Sequence, residues 1–293
     1  MTIRFGPMTI AAFAFQGAVC TTNPIEITAS PQVTENGEVV VFASVPKELL
    51  PSRRFFIKDG RFYYSPGRFP RYLVDLSISY EQYLQQLGGK EKSTIRRKVQ
   101  KFLSRTNDCD AFREYRTPAE LMEFHSIARE LSMRTYQEKF LGKGLPNTDS
   151  FREEMLSLAA GDNVRAFTLH LDQKPIAYLY SPARAGILYY DFLGYDPDYS
   201  SHSPGSVLQW LAFERIFREG KFRYYDFEEG EGQHKRTFAT MMLNCGNLLI
   251  FTISPKSFLY IVFDWLFLSL TRTALKMSDI FNIRTLVRKA YRK

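Results

Sequence analysis

The chain is expected to fold as a mixed α/β protein, with a mixed sheet flanked by helices. Three observations lead there. Residues 164–253 run hairpin, strand, loop, helix, strand, short helix, strand, which is the order of a layered α/β architecture. The segments before them carry paired strand and helix-start signals. The 293 residues are 45% hydrophobic and 24% charged, a globular balance. That length suits one large or two modest domains, and that apolar content excludes a disordered chain.

The elements follow in order. Residues 1–88 read as a strand-rich part, with β-branched or aromatic runs at Glu38 to Phe42 and Arg53 to Lys58. Asp59-Gly60 and Pro66-Gly67 mark turns. Ser79 to Leu87 reads as a short helix with Ser79 at its N-cap. Lys92 to Ser104 is a second helix. Ile95, Val99, Phe102 and Leu103 form its apolar face, and Arg96, Arg97, Lys98 and Lys101 lie around it. Those cations form either a solvated face or an anion-binding wall. Thr117 and Pro118 suit the cap and first position of a longer helix whose stripe is Leu121, Phe124, Ala128 and Leu131. His125 beside that stripe reads as structural. Phe151 to Ala160 is a further helix, stopped by Gly161.

From Val164 the pattern turns to period two. Val164 to Leu171 and Ile176 to Tyr180 make a hairpin about Asp172-Gln-Lys-Pro175. Gly186 to Tyr195 is an apolar strand. A Pro/Ser-rich loop leads to a helix from about Pro204 to Glu219, with Gly220 as its stop. Phe222 to Phe227 is a strand, then comes an acidic loop, a short helix from about Gln233, and a final strand at Asn247 to Ile253.

Charge and cysteine content narrow the classes. The formal net charge is +8, which by itself invites a nucleic-acid or anionic-lipid partner. The excess is local: Lys90 to Arg105 carries seven Lys/Arg and one acid, and Ser254 to Lys293 eight and two, each a net +6. The rest is mildly acidic. No nucleic-acid recognition motif is present, so no nucleic-acid partner is expected. Cys20, Cys109 and Cys245 are scattered and odd in number, which implies no disulfide framework and fits a reducing, cytoplasmic setting. Cys245 has no histidine nearby in sequence and is a poor candidate nucleophile. The four histidines are far apart, so no metal is expected. Met8 to Phe15 is mildly apolar but interrupted by Gln16, and reads as a buried strand rather than a signal segment. Phe258 to Leu270 is the most apolar window, too short to span a membrane. The basic segment after it either docks on the domain or lies on an anionic membrane surface.

Two loops carry the chemistry. In Gly194 to Gly205, Ser203 is expected to cap the following helix, Pro204 to take its first position, and Gly205 to allow close backbone approach. A helix start of that kind offers unpaired N–H groups and partial positive charge to a phosphate. The loop Asp226 to Arg236 concentrates four acids, His234 and two cations. Acids at strand ends and a near-neutral histidine are candidate general bases.

The run YYDFLGYDPDYSSHSPGSVLQWLAFERIFREGKFRYYDFEEGEGQHKRTFA resembles the GNAT-type acetyltransferases of the CelD/BioF2-like group, which are related to FemAB-type transferases. Ser93 to Val99, and Ser132 to Pro146 with Thr135-Tyr-Gln137, also look like this group. The resemblance implies a GNAT fold over residues 89–255, with 1–88 a candidate second GNAT-like half and 256–293 a basic helical extension. It implies acetyl-CoA or another acyl-CoA as co-substrate and no metal. His202, Ser203, Pro204, Gly205, Ser206 and Lys235 would hold the donor. His234 would be the base, oriented by Glu231 or Glu229, with Asp226 and Asp191 as second choices. Tyr136, Gln137 and Tyr190 would line the acceptor pocket.

The expected activity is acyl transfer to an amine or hydroxyl of a small-molecule or sugar acceptor, in exopolysaccharide or cell-envelope metabolism. Two alternatives stand beside it: a FemAB-like aminoacyl transferase, and a non-catalytic scaffold of a polysaccharide-synthesis machine. Contact with the membrane, if any, would run through the C-terminal extension.

Overall fold

The structure is a computed structural model and describes residues 2–5, 8–21, 24–25, 37–106, 111–135 and 144–280. The strands are β1 (Thr2–Phe5), β2 (Met8–Ala12), β3 (Gly17–Thr21), β4 (Val39–Pro46), β5 (Phe55–Lys58), β6 (Arg61–Tyr64), β7 (Arg68–Asp75), β8 (Phe112–Tyr115), β9 (Val164–Leu171), β10 (Lys174–Arg184), β11 (Ile187–Tyr189), β12 (Phe192–Tyr195), β13 (Tyr224–Glu229) and β14 (Met241–Thr252). The helices are α1 (Tyr80–Gln86), α2 (Gly89–Leu103), α3 (Pro118–Arg134), α4 (Asp149–Ala160), α5 (Pro204–Glu219), α6 (Gln233–Phe238) and α7 (Pro255–Ile280).

The chain forms two compact units. One is continuous, Pro70–Leu243; the other combines Met1–Phe69 with Asn244–Lys293. The two ends of the sequence, read above as separate parts, thus fall in one unit.

In the continuous unit the strand order is β7-β13-β11-β10-β9-β8, with β12 also paired to β10. β13 runs parallel to β11, and the other pairs are antiparallel. The central strands obey the two-residue period of a sheet covered on both faces. Phe167, Leu169, Ala177 and Leu179 join a core with α1, α2 and α5. Ala166, Tyr178 and Tyr180 join a second core with α3 and α4.

The helix starts follow the local chemistry. Ser79 and Thr117 each complete a capping box, with Gln82 and Glu120. Pro118 and Pro204 occupy first-turn positions. Gly220 closes α5 with φ 63°, a left-handed stop. On α2 the expected inner face needs one correction: Ile95, Val99 and Phe102 are buried but Leu103 is exposed. Leu103 lies in the last turn, just before the Ser104 C-cap. His125 is buried, with Nε2 2.9 Å from the Pro146 carbonyl oxygen, the structural position expected.

In the discontinuous unit β4 pairs with β3 in parallel and with β14 antiparallel, and the β5–β6 hairpin adds to β14. α7 packs on this sheet through Tyr260 and Ile261, against Phe62, Leu249 and Phe251. Ser254 starts α7 by accepting from the Ser257 N–H at 3.1 Å. Cys245 is buried in β14.

One buried ion pair ties β7 to β13. Arg71 Nε donates to Asp226 Oδ2 at 2.7 Å, with both side chains almost wholly buried. The other carboxylate oxygen accepts from the Glu228 N–H at 2.7 Å. Removing one partner strands the other's charge away from water, which costs about 3–5 kcal/mol. Asp226→Ala is expected to lower the urea-unfolding free energy by that amount, and the double change Arg71→Met, Asp226→Leu by clearly less.

Candidate active site

The site begins where two parallel strands separate. β11 and β13 pair from Ile187↔Tyr224 to Tyr189↔Asp226. One further bond joins the Tyr190 N–H to the Asp226 carbonyl at 2.8 Å. Past it the chain breaks register: β12 stays with β10 alone, and β13 continues beside β7. The spacing of cavity-facing residues records the break. Tyr190, Leu193 and Tyr195 all line one cavity, so the strict alternation slips between 190 and 193. The Gly186 to Tyr195 run, expected as one strand, is therefore two strands with a divergence between them.

The cavity left by this divergence holds about 340 Å³. Its walls include Tyr190, Leu193, Ser203–Ser206, Gln209 and His234. The loop before α5 is fixed by Asp196, which is fully buried. Asp196 accepts from the Asp198 N–H at 3.2 Å and pairs with Arg134 Nη1 at 2.7 Å. The loop then ends in a left-handed residue, Ser203, at φ 52°. That geometry overturns one expectation: Ser203 makes no side-chain cap on α5. Its carbonyl instead accepts from the Ser206 and Val207 N–H groups, at 3.0 and 3.1 Å. Gly205 permits a close approach, since a Cβ there would stand 3.1 Å from Leu193 Cδ2 and the leucine would have to shift by a few tenths of an ångström. The α5 start is thus held against β12; Pro204 has no N–H and the Ser206 N–H is taken by the Ser203 carbonyl, which leaves the Gly205 N–H as the first-turn donor at the cavity wall.

Gln209 is the feature the sequence did not suggest. It sits one turn into α5, is only 3% exposed, and lines the cavity. By distance and angle neither amide atom makes a well-formed hydrogen bond, but the side chain lies against the Tyr225 hydroxyl and interacts with it. The neighbouring Tyr225 hydroxyl is bonded to Ser181 Oγ at 3.0 Å. A buried amide left so costs about 1–3 kcal/mol, and such groups in native proteins mark a role or a bound partner.

His234 is presented by the acidic loop. Lys235 Nζ donates to the Glu229 carbonyl at 2.8 Å, and the Gly230 N–H to the Pro70 carbonyl at 3.0 Å. The His234 ring lies 5.4 Å from the Tyr190 ring and 6.2 Å from Phe227. Burial against these rings, with Lys235 adding to it, pulls the imidazole below its ordinary value. The residue as a whole is exposed, and the lowered value favours the neutral form that accepts a proton.

A second cavity of about 390 Å³ meets the first at Ser203. Arg97, Lys98 and Lys101 of α2 face Ser201, His202 and Ser203 across it. The cationic helix thus forms the wall of an actual recess.

The Acetyltransferase (GNAT) domain pattern matches residues 89–236. The chain belongs to this family. No curated protein matches it. Among solved structures, the C-terminal domain of a protein named as a lysylphosphatidylglycerol synthetase, from Agrobacterium fabrum, is similar over 76% of this chain and 70% of its own. It has 12% identity and a TM-score of 0.51. The Bacillus licheniformis protein L-PGS is similar over 78% of this chain and 72% of its own, at 14% identity and TM-score 0.47. FemX is similar over 69% and 68%, at 11% identity and TM-score 0.47. At such identities the likeness is one of fold. The helix-flanked mixed sheet is therefore a GNAT-type acyltransferase fold, as the resemblance implied.

The expected site residues distribute unevenly over this GNAT fold. Tyr190, Ser203, Pro204, Gly205, Ser206 and His234 share the first cavity. His202 lines the second. Lys235 lines neither, being tied to the Glu229 carbonyl. Glu231 accepts from Arg236 Nε at 3.0 Å and from the Tyr72 hydroxyl at 3.2 Å. Among the described residues neither Glu231 nor Glu229 hydrogen-bonds His234, so the orienting contact expected of them is not made. The rings of Tyr190 and Phe227 hold the imidazole instead. Asp226 is committed to Arg71 and lines neither cavity. Tyr136 and Gln137 lie outside the described residues. Among the described residues no three His, Cys, Asp or Glu side chains group as a metal site.

Asp191 sits at the strand break. Burial, with the nearby Glu228 carboxylate adding to it, pushes its pKa up to about 7, against the opposing charge of Arg184. The sign of the linkage follows. The unfolded carboxyl ionises near 3.8, while the folded one holds its proton to about 7. Stability therefore falls as pH rises through that window. Asp191→Asn is expected to match the wild type at pH 4 and to exceed it by up to about 4 kcal/mol at pH 8, read from urea unfolding at both pH values.

Proposed function

We propose that the protein is an acyl-CoA-dependent N- or O-acyltransferase of CelD/BioF2-like type, with acetyl-CoA the first donor to test. The observation that carries this reading is the buried, poorly satisfied Gln209 amide in a cavity between diverging parallel strands, beside a helix start. A thioester on a pantetheine arm suits that place chemically. Its amides could pair with the edge of β12 that β10 leaves open, in the manner of an added strand. Gln209 would meet an amide or the thioester carbonyl. The α5 start would take the pyrophosphate. Arg97, Lys98 and Lys101 would face the remaining phosphate in the adjoining recess.

The transfer would be a direct displacement. An acceptor amine or hydroxyl attacks the thioester carbon while His234 takes its proton. The carbonyl oxygen gathers charge and is stabilised by N–H donors at the cavity wall. The C–S bond then breaks, the acyl group stays on the acceptor, and the thiolate is protonated to CoA thiol. An acceptor from exopolysaccharide or cell-envelope metabolism agrees with the group resemblance. The basic recess also favours a second reading, an aminoacyl-tRNA donor, whose RNA phosphates the same three cations would meet.

Binding tests separate the two. On the first reading acetyl-CoA or a longer acyl-CoA raises the melting temperature, and uncharged or charged tRNA does not. Thermal shift by tRNA with indifference to every acyl-CoA would replace it with the second. Two variants probe the site itself. Gln209→Leu should leave the unliganded protein at least as stable as the wild type by urea unfolding, because a poorly satisfied amide leaves the core. The same change should weaken acyl-CoA binding about tenfold by calorimetry. His234→Gln should lower kcat by about 10²–10³ with little change in the donor KM. It should also erase the acid limb of the wild-type kcat/KM profile, which falls as pH drops below the depressed imidazole value.

A further inference from the structure

The discontinuous unit carries a surface that acyl transfer does not need. Helix α7 is apolar on the wrong side. Tyr260 and Ile261 face its own sheet, yet Phe258, Leu259, Phe263, Trp265, Leu266 and Leu270 are all exposed. At about 100° per residue these six fall on one arc opposite the buried pair. No charge interrupts them. The one ionised side chain between Ser257 and Leu270 is Asp264, and its Oδ2 accepts from the Tyr64 hydroxyl at 2.7 Å. The patch continues off the helix, because Phe62 lies 6.4 Å from Phe258 and 5.5 Å from the exposed Phe55. A helix apolar all round is ordinarily buried on all sides, and an exposed patch of this extent marks a docking surface.

The charge of the chain says what covers it. The continuous unit holds twenty-four Lys/Arg and twenty-four Asp/Glu, a net of zero. The discontinuous unit holds fifteen and seven. The whole +8 therefore belongs to the unit that bears the apolar face. Five of its cations (Arg53, Arg54, Lys58, Arg61 and Arg68) lie in or beside the β5–β6 hairpin, against one acid, Asp59. Thr271 to Lys293 carries seven more against one acid. An exposed Trp/Phe/Leu face within a cationic surround matches the interface of an anionic bilayer: acyl chains below, phosphate headgroups around. No helix of the described residues is long and apolar enough to cross a membrane, so this one would lie along the surface.

We propose that α7 and the β5–β6 hairpin dock the protein on an anionic lipid surface, with the apolar face of α7 set among the acyl chains. The full-length chain can be tested with vesicles of phosphatidylcholine alone and with one-third phosphatidylglycerol. The chain should co-sediment with the anionic vesicles at least tenfold more than with the neutral ones, and should release as salt is raised. The two tryptophans give an internal probe, since Trp210 is 6% and Trp265 50% exposed. In a Trp210→Phe background the remaining emission should shift to the blue on anionic vesicles only. Phe263→Glu with Leu266→Glu should abolish sedimentation while circular dichroism and the urea midpoint stay at wild-type values. Failure of the wild-type chain to sediment with anionic vesicles, or equal sedimentation of the double variant, would overturn the proposal. So would light scattering that finds a wild-type dimer which the double variant splits, because a second copy would then be the occupant. None of these readouts depends on acyl transfer.

Discussion

The hydrogen bond from the Tyr190 N–H to the Asp226 carbonyl is the last one that two parallel strands share, and the site exists because the next one is missing. Up to that point β11 and β13 are ordinary neighbours. Beyond it, β12 is held by β10 on one side, and β13 by β7 and the Arg71–Asp226 pair on the other. Each strand is pulled outward by a partner it cannot leave. The opening is walled by a helix start, and Gly205 lets that start come within van der Waals reach of Leu193. Preorganisation here is a property of backbone pairing. The side chains inherit it.

Much of this was legible in the chain, for reasons of range. Helix starts are decided within four residues, so the Ser79 and Thr117 caps and the prolines of α3 and α5 could be read directly. The hairpin of β9 and β10 could be read from its period. The strand break could not, because residues 186–195 are mostly apolar and aromatic, with Asp191 alone to mark the break, and the divergence is imposed by neighbours far away. Arg71 and Asp226 are 155 positions apart. Gln209 was hidden in plain view as one polar residue within an apolar helix, where composition alone points to a solvent-facing site. Ser203 shows the opposite failure: a good capping residue whose left-handed backbone turns its hydroxyl away from the cap.

The net charge changes meaning once it is divided by unit. As a property of the whole chain it suggests a polyanion partner. Divided, it leaves the acyltransferase-type unit neutral overall, with three of its cations lining one recess, and leaves the whole excess to the unit that bears the apolar face. Long-range attraction and local recognition are thereby assigned to different parts of the chain. A cationic unit in the same chain can draw a neutral one toward an anionic surface without the neutral unit's cleft competing for that surface.

The discontinuous unit also sets an order of events during synthesis. Its sheet needs β14, which pairs with β4 across roughly two hundred residues, as in Leu249↔Val41. Pro70–Leu243 is complete before β14 and α7 have left the ribosome, and domains fold as units while the chain emerges. β3, β4 and the β5–β6 hairpin must wait with open edges until β14 arrives, and such long-range pairing is slow. The surface carrying α7 accordingly forms after the continuous unit. A chain truncated near its end would keep a finished acyltransferase-type unit and lose the sheet to which that surface belongs.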